Sequence, residues 1–232
     1  MSTFSSSFST AVDLVLTANP ELAEIVFLSL RVSVSAVLIA TLVGMPLGAL
    51  LAIRRFPGRA TIATVLSSLM GLPPVVLGLI VYLLLSRAGP LGEYGLLFTP
   101  TAMVMAQTLL VLPIIAALTR QILADLHQHY DEQFRSFRLS GWKGIQTLLW
   151  EGRFSLLTAL LAGFGRASAE VGAVMIVGGN INHVTRVMTT TIAMETSKGD
   201  FSLALALGII LILLVLSVNV LVSLIQAMEN EA

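Results

Sequence analysis

The sequence predicts an all-α, polytopic membrane protein with about five transmembrane helices, an N-terminal interfacial helix and one long cytoplasmic loop. Three observations predict it. Of the 232 residues, 56% are hydrophobic and only 11% charged, where a soluble domain carries about 25% charged residues. Residues 32–53, 60–86, 94–119 and 201–228 contain no Asp, Glu, Lys or Arg, and each is long enough to cross a hydrocarbon core about 30 Å thick as a helix. A fifth apolar region, 154–178, is interrupted only by Arg166 and Glu170.

The same composition excludes several classes. Thirteen Lys+Arg balance thirteen Asp+Glu to a formal net charge of zero, so no basic field recruits nucleic acid. The absence of cysteine removes disulfides, thiolate metal sites and a cysteine nucleophile, and three scattered histidines argue against a zinc enzyme.

Taken in order, residues 1–20 form an extracytoplasmic segment. Phe8, Val12, Val15 and Leu16 fall on one helical face with Asp13 off it, as in an interfacial helix; a frayed terminus is the competing reading. No positive n-region leads into a short apolar core with a cleavage site, so no removable signal peptide is expected. The transmembrane domain occupies 21–232. Its first span starts at Asn19-Pro20, an N-cap followed by Pro at the first helical position, with Glu21 and Glu24 in the first turn. It stops at Arg54-Arg55-Phe56-Pro57-Gly58-Arg59. Pro46, Pro73-Pro74 and Pro113 predict three bent or broken helices. The Gly71-Leu72-Pro73-Pro74 step in the second span frees carbonyls that only neighbouring helices or a water-filled cavity can satisfy, which favours a transport pathway over a simple anchor.

Sidedness follows from the cations. Arg54, Arg55, Arg59, Arg120, Arg135, Arg138, Lys143 and Arg153 fall in the segments after the first and third spans, eight in all, whereas Arg87, Arg186 and Lys198 lie on the other side. This places the N-terminus outside and the C-terminus in the cytoplasm. The cytoplasmic loop near 120–153 has room for two helices, and Tyr130, Phe134 and Phe137 recur there at helical spacing with Glu132, Gln133, Arg135 and Arg138 on other faces. Such a helix either lies in the headgroup layer or docks its aromatic ridge on a cytoplasmic partner.

Three blocks carry a family resemblance. Tyr130-Asp131-Glu132-Gln133-Phe134-Arg135-Ser136, followed by Trp142, resembles the cytoplasmic coupling loop of ABC-importer permeases; Gln133 and Phe134 replace the two alanines of that pattern, Arg138 its glycine, and Trp150-Glu151 its Leu-Pro step. Leu72-Pro73-Pro74-Val75-Val76-Leu77-Gly78-Leu79 is similar to the second span of molybdate and tungstate permeases. Gly165-Arg166-Ala167-Ser168-Ala169-Glu170-Val171-Gly172-Ala173 through Gly178-Gly179-Asn180 resembles their fourth-span signature. The wording Thr185-Arg186-Val187-Met188-Thr189-Thr190-Thr191 and Glu195-Thr196-Ser197-Lys198-Gly199-Asp200 is most similar to the tungstate branch. The resemblance implies a prokaryotic inner-membrane permease, a second copy of this chain, two cytoplasmic ABC ATPase subunits holding ATP and Mg, and an extracytoplasmic oxyanion-binding protein. It also implies that Tyr130, Glu132, Phe134, Arg135, Phe137 and Arg138 couple the chain to the ATPases. The sequence itself has no phosphate-cradling G-x-x-x-x-G-K-[ST] motif, so no nucleotide or other cofactor is expected on this chain.

Two further groups are candidates for work inside the pathway. Arg166 and Glu170, four residues apart on one helix, can pair; intramembrane charges pair, face a cavity, or do both, so the pair holds the helix in the bundle, contacts the substrate directly, or serves as a gate between the two. Asn180, Thr185, Arg186, Thr189 and Thr190, with Asn182 and Thr191, offer donors to a tetrahedral dianion, although Thr-rich stretches also cap helices and line ordinary loops. The leading expectation is ATP-driven tungstate import by alternating access. Molybdate import, a passive channel or a secondary transporter are the alternatives, and an intramembrane enzyme ranks last because no His/Asp cluster or activated Ser is evident.

Overall fold

The structure, a computed structural model, describes residues 3–17, 19–136 and 142–230. The described residues form α-helices and one short 3-10 turn, with no strand. In chain order they are α1 (Thr3–Leu16), α2 (Pro20–Ile53), α3 (Arg59–Leu69), α4 (Pro74–Leu85), α5 (Pro100–His129), α6 (Asp131–Ser136), α7 (Trp142–Glu151), α8 (Arg153–Ser168), α9 (Gly172–Gly178), α10 (Met188–Lys198) and α11 (Phe201–Asn230). Helices α2, α5 and α11 are long and apolar enough to cross a membrane. Counting the pairs α3+α4 and α8+α9 as one bent span each raises the total to five.

Local sequence explains where the long helices start and stop. Asn19 Oδ1 accepts a hydrogen bond from the Glu21 N–H at 2.9 Å and Pro20 opens α2, as the cap signal predicts. At its other end the Arg59 guanidinium donates to the carbonyls of Leu51 (2.6 Å) and Ala52 (3.0 Å), filling acceptors that the helix terminus leaves open. Thr99 and Pro100 start α5 in the same manner as Asn19 and Pro20 start α2.

The prolines act unequally. Pro46 and Pro113 sit inside continuous helices, so neither breaks its span; bundle helices can re-satisfy the carbonyl that a proline frees. The Gly71–Pro74 step does break its span. Proline at 74 pushes Pro73 to extended backbone (ψ 123), and the axes of α3 and α4 meet at 103°.

Close backbone approach organises the centre. Helices α2 and α5 cross at Gly44 and Gly48; a Cβ on Gly48 would stand 2.5 Å from the Ala116 carbonyl oxygen and 2.8 Å from Thr119 Cβ. Likewise α4 crosses α9 where a Cβ on Gly78 would fall 2.7 Å from Ala173 Cα. Small residues give membrane helices this intimacy, because lipid offers no hydrophobic drive for helix pairing. One core joins Val32 of α2, Leu77, Val81 and Leu85 of α4, Met103 and Ala106 of α5, and Val174 and Val177 of α9. A second, at the end carrying Arg54, Arg55 and Arg59, joins Ala49, Ala52, Leu123, Phe134, Ile145, Leu148 and Leu156. Helix α11 lies at the margin, exposing Ile212, Leu213, Leu216, Val220 and Leu224.

Two boundaries move relative to the sequence reading. Helix α5 runs on to His129, so 120–129 extends a span and the loop proper begins at Tyr130. The N-terminal helix exists, but Ala11, fully buried, and its neighbours Leu14 and Val15 face the core of Leu22, Ile25, Met188 and Leu207. Phe8 and Leu16, of the apolar face read for an interfacial helix, are exposed on the chain.

Candidate functional site

The fourth apolar pair, α8 and α9, bends by 57° across residues 169–171, and the polar groups around that break define its geometry. Arg166 lies in the last turn of α8, and Glu170 lies beyond the helix end. They are therefore not on one helix, contrary to the sequence reading, although they do pair: Arg166 Nη1 is 3.0 Å from Glu170 Oε2. The Glu170 side chain is only 2% exposed and that of Arg166 31%. The other carboxylate oxygen, Oε1, accepts from the Ala173 N–H at 3.0 Å, so one side chain closes α8 electrostatically and caps the first turn of α9.

Neighbouring helices satisfy carbonyls that the break releases. Gln107 of α5 donates from Nε2 to the Ala167 carbonyl at 3.1 Å, and Thr189 of α10 donates from Oγ1 to the Glu170 carbonyl at 2.7 Å. Ser29 of α2 donates to the Ile25 carbonyl and accepts from the Met188 N–H at 2.8 Å, fixing the start of α10. Ser29, Ser33, Gln107, Ser168 and Thr189 line a space of about 20 Å³, the size of a single water site. Sequence reasoning missed Gln107. Its signal was a lone amide within the uncharged 94–119 stretch, which a search for charges alone passes over.

The segment after α9 gathers the predicted donors but spends most of them internally. Thr185, 1% exposed, donates from Oγ1 to the Gly178 carbonyl at 2.6 Å and accepts from the Ile181 N–H at 2.9 Å. Thr190 donates to Asn180 Oδ1 at 2.9 Å and Thr191 to the Val187 carbonyl at 2.7 Å. Asn180 adopts a positive φ of 50. Arg186 Nη1 is 3.8 Å from Glu21 Oε1, and His183 Nδ1 is 2.8 Å from Glu24 Oε2. Both contacts tie this segment to the first turn of α2. Among the described residues, no three His, Asp or Glu side chains gather as a metal site.

At the basic end, the loop helices are anchored by aromatics. Phe134 is buried, its ring centroid 6.2 Å from Tyr130 and 6.0 Å from His127, and it packs with Leu123, Ile145 and Leu148. The ridge of Tyr130 and Phe134 thus faces the chain's own bundle. Glu132, Gln133, Lys143, Gln146 and Trp150 form the exposed side, with the Arg153 guanidinium 4.7 Å from the Trp150 ring and 4.5 Å from that of Phe154. Phe137, Arg138 and the Arg135 side chain lie outside the described residues.

Residues 44–228 match the family described as the binding-protein-dependent transport system inner membrane component. The chain is 39% identical over 219 residues to the tungstate uptake system permease protein TupB of Peptoclostridium acidaminophilum, covering 94% of this chain and 96% of that protein. It is 42% identical over 207 residues to a probable anion ABC transporter permease protein of Haloferax volcanii, covering 86% and 88%. It is also 42% identical over 145 residues to the TupB permease of Campylobacter jejuni, covering 62% and 61%. The fold class read from charge segregation and the family read from three sequence blocks agree with these matches. The chain belongs to the inner-membrane components of binding-protein-dependent transport systems, as a multi-pass permease of the ABC-importer type.

Proposed function

We propose that this chain is the permease subunit of an ATP-driven importer that moves tungstate into the cell. The observation that carries this reading is near full-length similarity to a tungstate uptake permease, at 39% identity over 94% of the chain. The family implies an extracytoplasmic binding protein and separate ATPase subunits. Two copies of this chain would form the path, and two ATPases would bind ATP and Mg, since the chain itself lacks a phosphate-cradling loop. The eight cations after the first and third spans support a cytoplasmic location for the α6–α7 loop and an outside N-terminus.

In this mechanism the ATPases push on the exposed side of α6 and α7, where Glu132 lies. Because Phe134 packs α6 into the same core as Ile145, Leu148 and Leu156, a push on the loop is transmitted to α7 and α8. From there the Arg166–Glu170 contact reaches the 57° break and α9. The test is reconstitution of the permease with its ATPase and binding protein in liposomes. ATP-dependent tungstate uptake supports the proposal. Preference for molybdate would reassign the substrate, and flux independent of ATP would replace the importer with a channel or secondary transporter.

A further inference from the structure

Helix α3 is amphipathic, and both its polar and its apolar face are largely exposed on the single chain. Ala60, Thr64, Ser67 and Ser68 recur at helical spacing on one face, with Ile62, Val65 and Leu69 on the other. The polar face, together with Ala63, borders a shallow, widely open depression completed by Arg120 of α5, with Thr64, Ser67 and Ser68 exposed along it. Arg120 Nε is enclosed and has no hydrogen-bond partner among the described residues. Arg59, by contrast, is engaged with the Leu51 and Ala52 carbonyls. The Arg120 guanidinium has no carboxylate partner among the described residues, and a cation in a membrane-spanning bundle is costly unless water, a polar group or an anion meets it.

We propose that this recess is an oxyanion site on the basic half of the translocation path, with Arg120 supplying the compensating charge and Thr64, Ser67 and Ser68 the surrounding hydrogen bonds. The assignment rests on the reading of the chain as an oxyanion importer. No residue lining the recess is acidic, which distinguishes it from the opposite end of the bundle, where Glu21 and Glu24 border Arg186 and His183. Ser67 and Ser68 donate to the Ala63 and Thr64 carbonyls, each at 2.9 Å. Such back-bonds within a helix are weak, and rotation about χ1 turns each donor from its own helix to a ligand. The Thr185, Thr190 and Thr191 hydroxyls lack this freedom, since they are buried and hold the turn around Asn180 together. The site also begins where α2 ends and runs toward the Gly71–Pro74 break, so a change in the 103° bend would reshape one wall while α5 holds Arg120 in place.

The absence of native cysteine makes the test direct. Ser67→Cys and, separately, Thr64→Cys are introduced into the full complex of permease, ATPase and binding protein in liposomes. Each is then treated with methanethiosulfonates bearing either a sulfonate or a trimethylammonium group. With each rate divided by that reagent's rate with a small free thiol, the anionic reagent is expected to react at least threefold faster, tungstate to slow it, Arg120→Gln to abolish the preference, and Arg120→Lys to keep it. Failure of both cysteines to react in an assembled complex, or a charge preference unchanged by Arg120→Gln, overturns the site. Uptake by the unmodified complex is scored separately. Tungstate uptake without the charge preference removes the site and leaves the importer reading. An Arg120-dependent preference without tungstate uptake leaves an anion site and removes tungstate as the substrate.

Discussion

Glu170 and Arg166 form a 3.0 Å ion pair across the end of a helix rather than along its face, and the same carboxylate caps the next helix through the Ala173 N–H. A break in an intramembrane helix leaves polar backbone groups that must find partners. Here one glutamate serves both sides of the break while Gln107 and Thr189 take carbonyls around it.

This arrangement orders three variants. Glu170→Ala removes both the charge and the cap, Glu170→Gln keeps an amide oxygen for the Ala173 N–H, and Arg166→Gln/Glu170→Gln leaves no unpaired charge. Losing one partner of a buried pair costs about 3–5 kcal/mol, discounted here to roughly 2–3 kcal/mol because Arg166 is 31% exposed. Melting temperature and uptake should both fall most for Glu170→Ala, less for Glu170→Gln, and least for the double variant. Equal losses from Glu170→Gln and the double variant would refute energetic coupling between the two side chains.

The α2–α5 crossing tolerates no side chain. Gly48→Ala places a methyl 2.5 Å from the Ala116 carbonyl oxygen, backbone that can yield only if the helices separate. We expect a loss of about 1–3 kcal/mol, the usual cost of overpacking, seen as a lower melting temperature in detergent. Gly208→Ala, whose added Cβ meets nothing within 4 Å, should be neutral or slightly stabilising because alanine is the better helix former.

Thr185 separates a structural role from a ligand role. Thr185→Val keeps the shape and strips both the Gly178 and Ile181 partners of a hydrogen bond, at a cost of about 2 kcal/mol for a buried site. Reduced stability with an unaltered concentration for half-maximal uptake is expected. The reverse pattern would return Thr185 to the anion path.

The loop helices should divide anchoring from coupling. Phe134→Ala empties a buried position and should cost about 3 kcal/mol, loosening α6 and raising protease sensitivity near Tyr130. Glu132→Lys lies on the exposed side and should cost less stability than Phe134→Ala while lowering tungstate uptake per ATP hydrolysed. If uptake and coupling survive Glu132→Lys intact, the contact with the ATPase lies elsewhere on the chain.

Much of the architecture was legible because membrane insertion is governed by one-dimensional rules. Spans follow from the four uncharged stretches, the start of α2 from Asn19-Pro20, and the break at Pro73-Pro74 from the clash that proline imposes on its predecessor. The family blocks around Leu72–Leu79 and Gly165–Asn180 were also legible, and they coincide with the two bent pairs. Less legible was the work of each polar residue, since Thr189 and Thr190 look alike in sequence yet one bonds the Glu170 carbonyl and the other Asn180.

By itself, then, the sequence determined the all-α membrane class, the number of apolar crossings, the basic segments and the family, because each depends on composition or local pattern along the chain. Only the tertiary structure decided which prolines break their helices, that Glu170 lies beyond α8, that Phe134 turns inward, and that Arg120 borders the hydroxyl face of α3. Those outcomes depend on whether a neighbouring helix supplies a partner for each freed backbone or side-chain group, and that partner is distant in sequence.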